Sequence, residues 1–125
     1  MSPSAWPWLR LGMISVEVLR GYATALPGVE ESIQFGLPLF TVEGVGFLGL
    51  EKSRTTAIVG VDEHDAAALV AGHQDLYEEV WRKGVEFVGV RIDLARMPEP
   101  RLRELIVAAW QNKAPAHLRA AHAVR

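Results

Sequence analysis

The sequence predicts an α+β domain: a single antiparallel sheet with helices packed mainly on one face, similar to a small two-layer sandwich. Three patterns carry that prediction. Apolar residues recur at helical spacing near both ends of the chain. Four short apolar or β-branched runs, joined by polar or glycine-bearing links, fill residues 32–61. A strict alternation then runs from Val88 to Leu94. Short links require antiparallel neighbours, because parallel strands need long crossovers. The expected order is α-β-β-β-β-α-(short α)-β-α, and one sheet covered by helices is the simplest way to bury it.

Each element has a local cause. Ile14, Val18, Tyr22, Ala25 and Leu26 mark a helix over about residues 15–26, with Ser15 as its N-cap. Pro27-Gly28 stops it, since proline cannot continue a helix and glycine accepts a left-handed turn. Ile33 and Phe35 alternate with Ser32 and Gln34 in a first strand, which Gly36-Leu37-Pro38 breaks. Leu39–Glu43, Phe47–Glu51 and Thr55–Val61 read as three more strands. Asp62 caps the next helix through Asp65, with Ala66, Leu69 and Val70 inward.

Residues 75–83 satisfy the local rules for a short helix. Asp75 and Glu78 form a box at its start, and Glu78–Arg82 and Glu79–Lys83 are both i,i+4 pairs. Arg82 and Lys83 close it, and Gly84 follows. Val88, Val90, Ile92 and Leu94 alternate with Gly89, Arg91 and Asp93 in a half-buried strand. Pro98 and Pro100 open the last long helix, whose stripe is Leu102, Leu105, Ile106, Ala109 and Trp110. Ala114-Pro115 ends it. The expected organisation is an irregular extension over residues 1–13, a domain over 14–114 and an Ala-rich tail over 115–125. Trp6 and Trp8 are expected to fold back on the domain, and Met13 is a second candidate start.

Composition narrows the chemistry. Half of the 125 residues are hydrophobic and 22% are charged, which excludes a disordered chain. The absence of Cys excludes disulfides, thiolate metal sites and cysteine nucleophiles. No apolar run reaches the ~18–20 residues of a membrane span, and residues 1–13 lack a basic, apolar-cored signal. A cytoplasmic protein with no membrane partner is expected. Net charge is −2, yet residues 1–80 sum to −7 and residues 81–125 to +5. Such asymmetry can build a local positive field within an acidic total.

Gly44-Val45-Gly46-Phe47-Leu48-Gly49 matches G-x-G-x-x-G, but a dinucleotide site needs a helix to begin inside the motif. Here a strand pattern follows, so a hairpin is the better reading. His64, His73, His117 and His122 show no ligand spacing. His117 and His122 would lie roughly 140° apart around a helix. No metal, cofactor or catalytic constellation is expected. Trp81, Arg82, Lys83, Phe87 and Arg91 instead combine aromatic and cationic groups of the kind that stack on bases and hold phosphates. Arg101, Arg103 and Lys113 extend the basic set.

These residues resemble the MmcQ/YjbR-like family of small bacterial proteins over about residues 14–114. The resemblance rests on Leu26-Pro27-Gly28-Val29-Glu30-Glu31-Ser32, Phe40-Thr41-Val42-Glu43-Gly44 and Phe47. It continues through Trp81-Arg82-Lys83, Phe87-Val88-Gly89-Val90-Arg91-Ile92-Asp93 and the Leu102 to Trp110 stripe. The resemblance implies a sandwich similar to the secretion chaperone-like fold and non-enzymatic binding of DNA by a double-wing sheet. The expected contacts are electrostatic, through the basic C-terminal half, with Trp81 or Phe87 available for stacking. The alternative expectation is a protein-interaction or chaperone-like module, acting as a homodimer or with another protein.

Overall fold

The computed structural model describes residues 14–123. Its elements are α1 (Val16–Thr24), β1 (Val29–Gln34), β2 (Leu37–Val42), β3 (Val45–Leu50), β4 (Thr56–Val59) and α2 (Glu63–Gly72). They continue with β5 (Tyr77–Arg82), β6 (Glu86–Asp93), α3 (Glu99–Lys113) and α4 (Ala116–Ala123). The six strands form one sheet in the order β1-β2-β3-β4-β6-β5, every neighbouring pair antiparallel. The α+β class read from the sequence is therefore the observed one. The extension over residues 1–13, with Trp6 and Trp8, lies outside the described residues.

One element is corrected. Residues 77–82 form a strand, not part of a helix, and pair with β6 along its length. The helix rules at this segment are local and individually weak, at about 0.2–0.5 kcal/mol per i,i+4 pair. Pairing with β6 satisfies the backbone instead, and Tyr77, Val80 and Trp81 have side chains suited to a pleated surface. The expected ion pairs change accordingly: Glu78 binds Arg91, and Arg82 binds Glu86. The first strand is also longer than read, beginning at Val29. Phe35 leaves the strand for the turn, while Pro38 lies within β2.

The helices cover one face. Register places Phe40, Leu48, Val59 and Val90 in one row, and Leu50, Ala57, Ile92 and Tyr77 in the next, all buried. A bulge in β3 turns both Phe47 and Leu48 inward, so two consecutive residues are buried there. Against these rows α3 packs on β3 and β4, α2 on β5 and β6, and α1 on β1 and α3. The α3 stripe of Leu102, Leu105, Ile106, Ala109 and Trp110 is wholly buried, as its spacing requires. The tail forms α4, which folds back so that Leu118 lies against Gly28 and His122 meets Trp110 edge-on.

Helix ends follow the sequence signals. Ser15 Oγ accepts from Val18 N at 3.3 Å, and Asp62 Oδ1 accepts from Asp65 N at 2.7 Å. Three hairpin links repeat one device, a residue at positive φ followed by glycine at positive φ: Phe35-Gly36, Glu43-Gly44 and Lys83-Gly84. Two left-handed residues in succession match the right-handed twist of the strands they join. The Gly44–Gly49 motif is thus a hairpin running into β3, as the strand pattern indicates.

Candidate functional site

Among the described residues, no helix lies over the rows that face away from α1–α4. The row Ser32, Leu39, Gly49, Ile58, Arg91 and Glu78 crosses all six strands on this open face. Two of its neighbouring positions carry no side chain: a Cβ at Gly46 would lie 3.3 Å from Leu39 Cδ1, and one at Gly49 3.4 Å. The Leu39 side chain lies over both, and the face carries a groove of about 910 Å³. Leu39, Gly46, Gly49 and Ile58 form its floor, Phe35 and the Lys52–Arg54 turn contribute to its wall, and Arg82 and Val88 extend it.

The β3–β4 turn presents two cations. Arg54 N donates to the Glu51 carbonyl at 2.8 Å, and Arg54 itself has a φ of 63°. Ser53 Oγ accepts from the Thr55 backbone N at 3.2 Å and from Thr55 Oγ1 at 3.0 Å, which fixes the turn. Neither Lys52 nor Arg54 has a carboxylate partner among the described residues. The sequence reading did not include these two, because they sit in the acidic half of the chain. Folding brings them to the same groove as Arg82.

Arg91 occupies the open face but its charge is already matched. Nε and Nη2 donate to the two Glu51 oxygens at 2.7 and 3.0 Å, and Nη1 donates to Glu78 at 2.9 Å. Thr56 Oγ1 adds a 2.7 Å bond to Glu51. Hydrogen bonding from Arg91 holds the Glu51 carboxyl below the usual carboxylate range, and Glu51 in turn raises the Arg91 guanidinium. This two-pronged pair stitches β6 to the end of β3 across β4.

The remaining sequence candidates fall into separate places. Trp81 and Phe87 meet edge-to-face with ring centroids 5.2 Å apart, and Phe87 is half-buried against the core. A bulge in β6 lets Trp81 pair with Phe87 while Val80 pairs with Gly89, so Phe87 and Arg91 do not share a face as simple alternation predicts. The Trp81 indole donates to Glu79 Oε1 at 3.0 Å. Arg82 pairs with Glu86 at 3.1 Å, and Lys83 projects from the adjoining turn. Arg101 lies 3.5 Å from Glu104. Arg103 lines a second groove of about 770 Å³ between α1 and α3, beside Tyr22 and Glu99. The Tyr22 hydroxyl donates to Glu99 there, which pushes the phenol up. Lys113 ends α3, about 18 Å along the axis from Arg101, with its stem over Gly60. The basic C-terminal half is thus divided between the open face, the β5–β6 turn and the outer side of α3.

Among the described residues, no group of three His, Asp or Glu is placed to hold a metal ion. No helix of the described residues is long and apolar enough to cross a membrane.

Comparison with known proteins fits this architecture. The crystal structure of Deinococcus radiodurans protein DR2400, which carries the DUF419 domain, superposes with a TM-score of 0.70 at 17% identity. The match covers 90% of this chain and 91% of that one, and shows a shared fold. No curated protein matches the sequence. The family model named YjbR matches residues 24–112. That span runs from the end of α1 almost to the end of α3, taking in the whole sheet, and the chain belongs to the YjbR family.

Proposed function

We propose that this YjbR-family protein is a non-catalytic DNA-binding protein whose contacts are mainly electrostatic. The observation that carries the reading is the open-face groove, where Lys52, Arg54 and Arg82 line one cleft with the apolar Leu39 and Ile58. Two of these cations have no carboxylate partner among the described residues, which leaves them available to phosphate. Lys83 lies next to Arg82 and extends the cationic edge toward the β5–β6 turn. Of the remaining basic residues, Arg103 and Lys113 supply secondary contacts from the helical side. Arg103 lines the α1–α3 groove, so it contributes to general attraction rather than to the same binding track.

The experiment is fluorescence anisotropy of labelled duplex and single-stranded DNA, titrated with the protein between about 50 and about 200 mM salt. Saturable binding with a steep negative salt dependence is expected. Absence of binding to either nucleic acid at the lowest salt overturns the reading. A protein partner is the second reading, and edge strand β1 favours it: Ile33 is 67% exposed there, on a strand that among the described residues pairs with β2 alone.

A further inference from the structure

Phe35 occupies a position that disfavours it in two ways. Its side chain is 93% exposed, so folding removes almost none of its apolar surface from water. Its φ of 55° is left-handed, a conformation in which a bulky residue is an outlier and which this hairpin turn ordinarily gives to Asn, Asp or Gly. The matching positions in the other two hairpins hold Glu43 and Lys83, polar chains that water solvates. Phe35 therefore contributes nothing to the fold that Asn would not supply better. It does line the open-face groove together with Lys52 and Arg54.

We infer that this groove binds single-stranded nucleic acid, with a base stacked on the Phe35 ring and the adjoining phosphates held by Lys52 and Arg54. The inference rests on the nucleic-acid reading above and specifies its site and strand form. A duplex hides the faces of its bases in the stack, whereas a single strand offers them to an aromatic platform. The groove supplies both halves of that recognition, an exposed ring and nearby cations. Bases beyond the first lie over the apolar side chains of Leu39, which covers Gly46 and Gly49, and Ile58. The acidic groups of this region are already engaged: Glu51 and Glu78 by Arg91, and Glu86 by Arg82. Arg91 offsets one of its two carboxylates and Arg82 offsets Glu86, so Lys52 and Arg54 leave this cluster with one net positive charge, complementary to a phosphate backbone.

The test uses the full chain with a mixed-sequence single-stranded oligodeoxynucleotide and a duplex of the same length, followed by anisotropy. Tighter binding of the single strand is expected. Phe35→Asn should weaken single-strand binding roughly ten-fold or more while leaving the melting temperature unchanged or raised. Phe35→Trp should retain binding, and Lys52→Glu with Arg54→Glu should abolish it. If Phe35→Asn binds the single strand as the wild type does, the inference is overturned. Equal or tighter duplex binding that neither the Phe35 nor the Lys52/Arg54 variants alter also overturns it, while the DNA-binding reading survives. Loss of all binding in the wild type overturns both.

Discussion

The indole Nε1 of Trp110 donates to the carbonyl oxygen of Pro27 at 2.9 Å, joining α3 to the turn between α1 and β1 across 83 residues of sequence. Trp110 is fully buried, and His122 of α4 packs edge-on against it with centroids 5.1 Å apart. Two sequence motifs, Leu26-Pro27-Gly28 and Ala109-Trp110, thus meet in space. Trp110→Phe removes the donor, strands a carbonyl and leaves a void. It should lower stability by about 2–4 kcal/mol, measured as a lower denaturant midpoint. A loss below about 0.5 kcal/mol would show that the tie carries little.

Glu51 and Arg91 make stability depend on pH in a defined direction. The folded Glu51 carboxyl is held below its ordinary value by Arg91. Its contribution is therefore complete above the ordinary carboxylate range and is lost as pH falls through the depressed folded value. Glu51→Gln should cost about 1 kcal/mol at neutral pH, with the difference from wild type closing below about pH 4. Thermal melts of both proteins across pH check this. A gap that persists at low pH assigns the effect to packing instead.

Two sheet glycines predict opposite outcomes. A Cβ at Gly89 would sit 2.4 Å from the Val59 carbonyl oxygen, which is backbone and cannot swing aside. Gly89→Ala should destabilise by about 3 kcal/mol or more. At Gly49 the nearest atom is the Leu39 side-chain tip at 3.4 Å, an ordinary contact. Gly49→Ala should leave stability unchanged or raise it by up to about 1 kcal/mol. Melting temperatures of the two variants, side by side, decide the matter.

Cation placement predicts which substitutions change salt dependence. Lys52→Ala with Arg54→Ala should reduce the slope of log affinity against log salt by about two for DNA. Arg101→Ala with Arg103→Ala should change it little, since Arg101 is 3.5 Å from Glu104 and Arg103 faces the α1–α3 groove. The reverse ranking would move the DNA surface to the helical side.

Some of this was legible in the chain order of residues. The Leu102–Trp110 stripe, the caps at Ser15 and Asp62, and the hairpin at Gly44 all depend on neighbours within one turn, and each is found as read. The site was less legible. Phe35 reads as an alternating strand residue, and Lys52 and Arg54 read as isolated cations in an acidic half. Charge summed along a sequence does not reveal which side chains a sheet brings to one face.

The sequence by itself determined the α+β class, the helix caps at Ser15 and Asp62 and the buried stripe of α3, because these follow from short-range periodicity and capping. Tertiary structure decided that residues 77–82 are a strand and that Glu78 serves Arg91 rather than Arg82. It also decided that a bulge parts Phe87 from Arg91. The reason is physical: a helix is stabilised by groups three and four residues away, whereas an edge strand is stabilised by a partner, and β5 finds its partner only when β6 is in place.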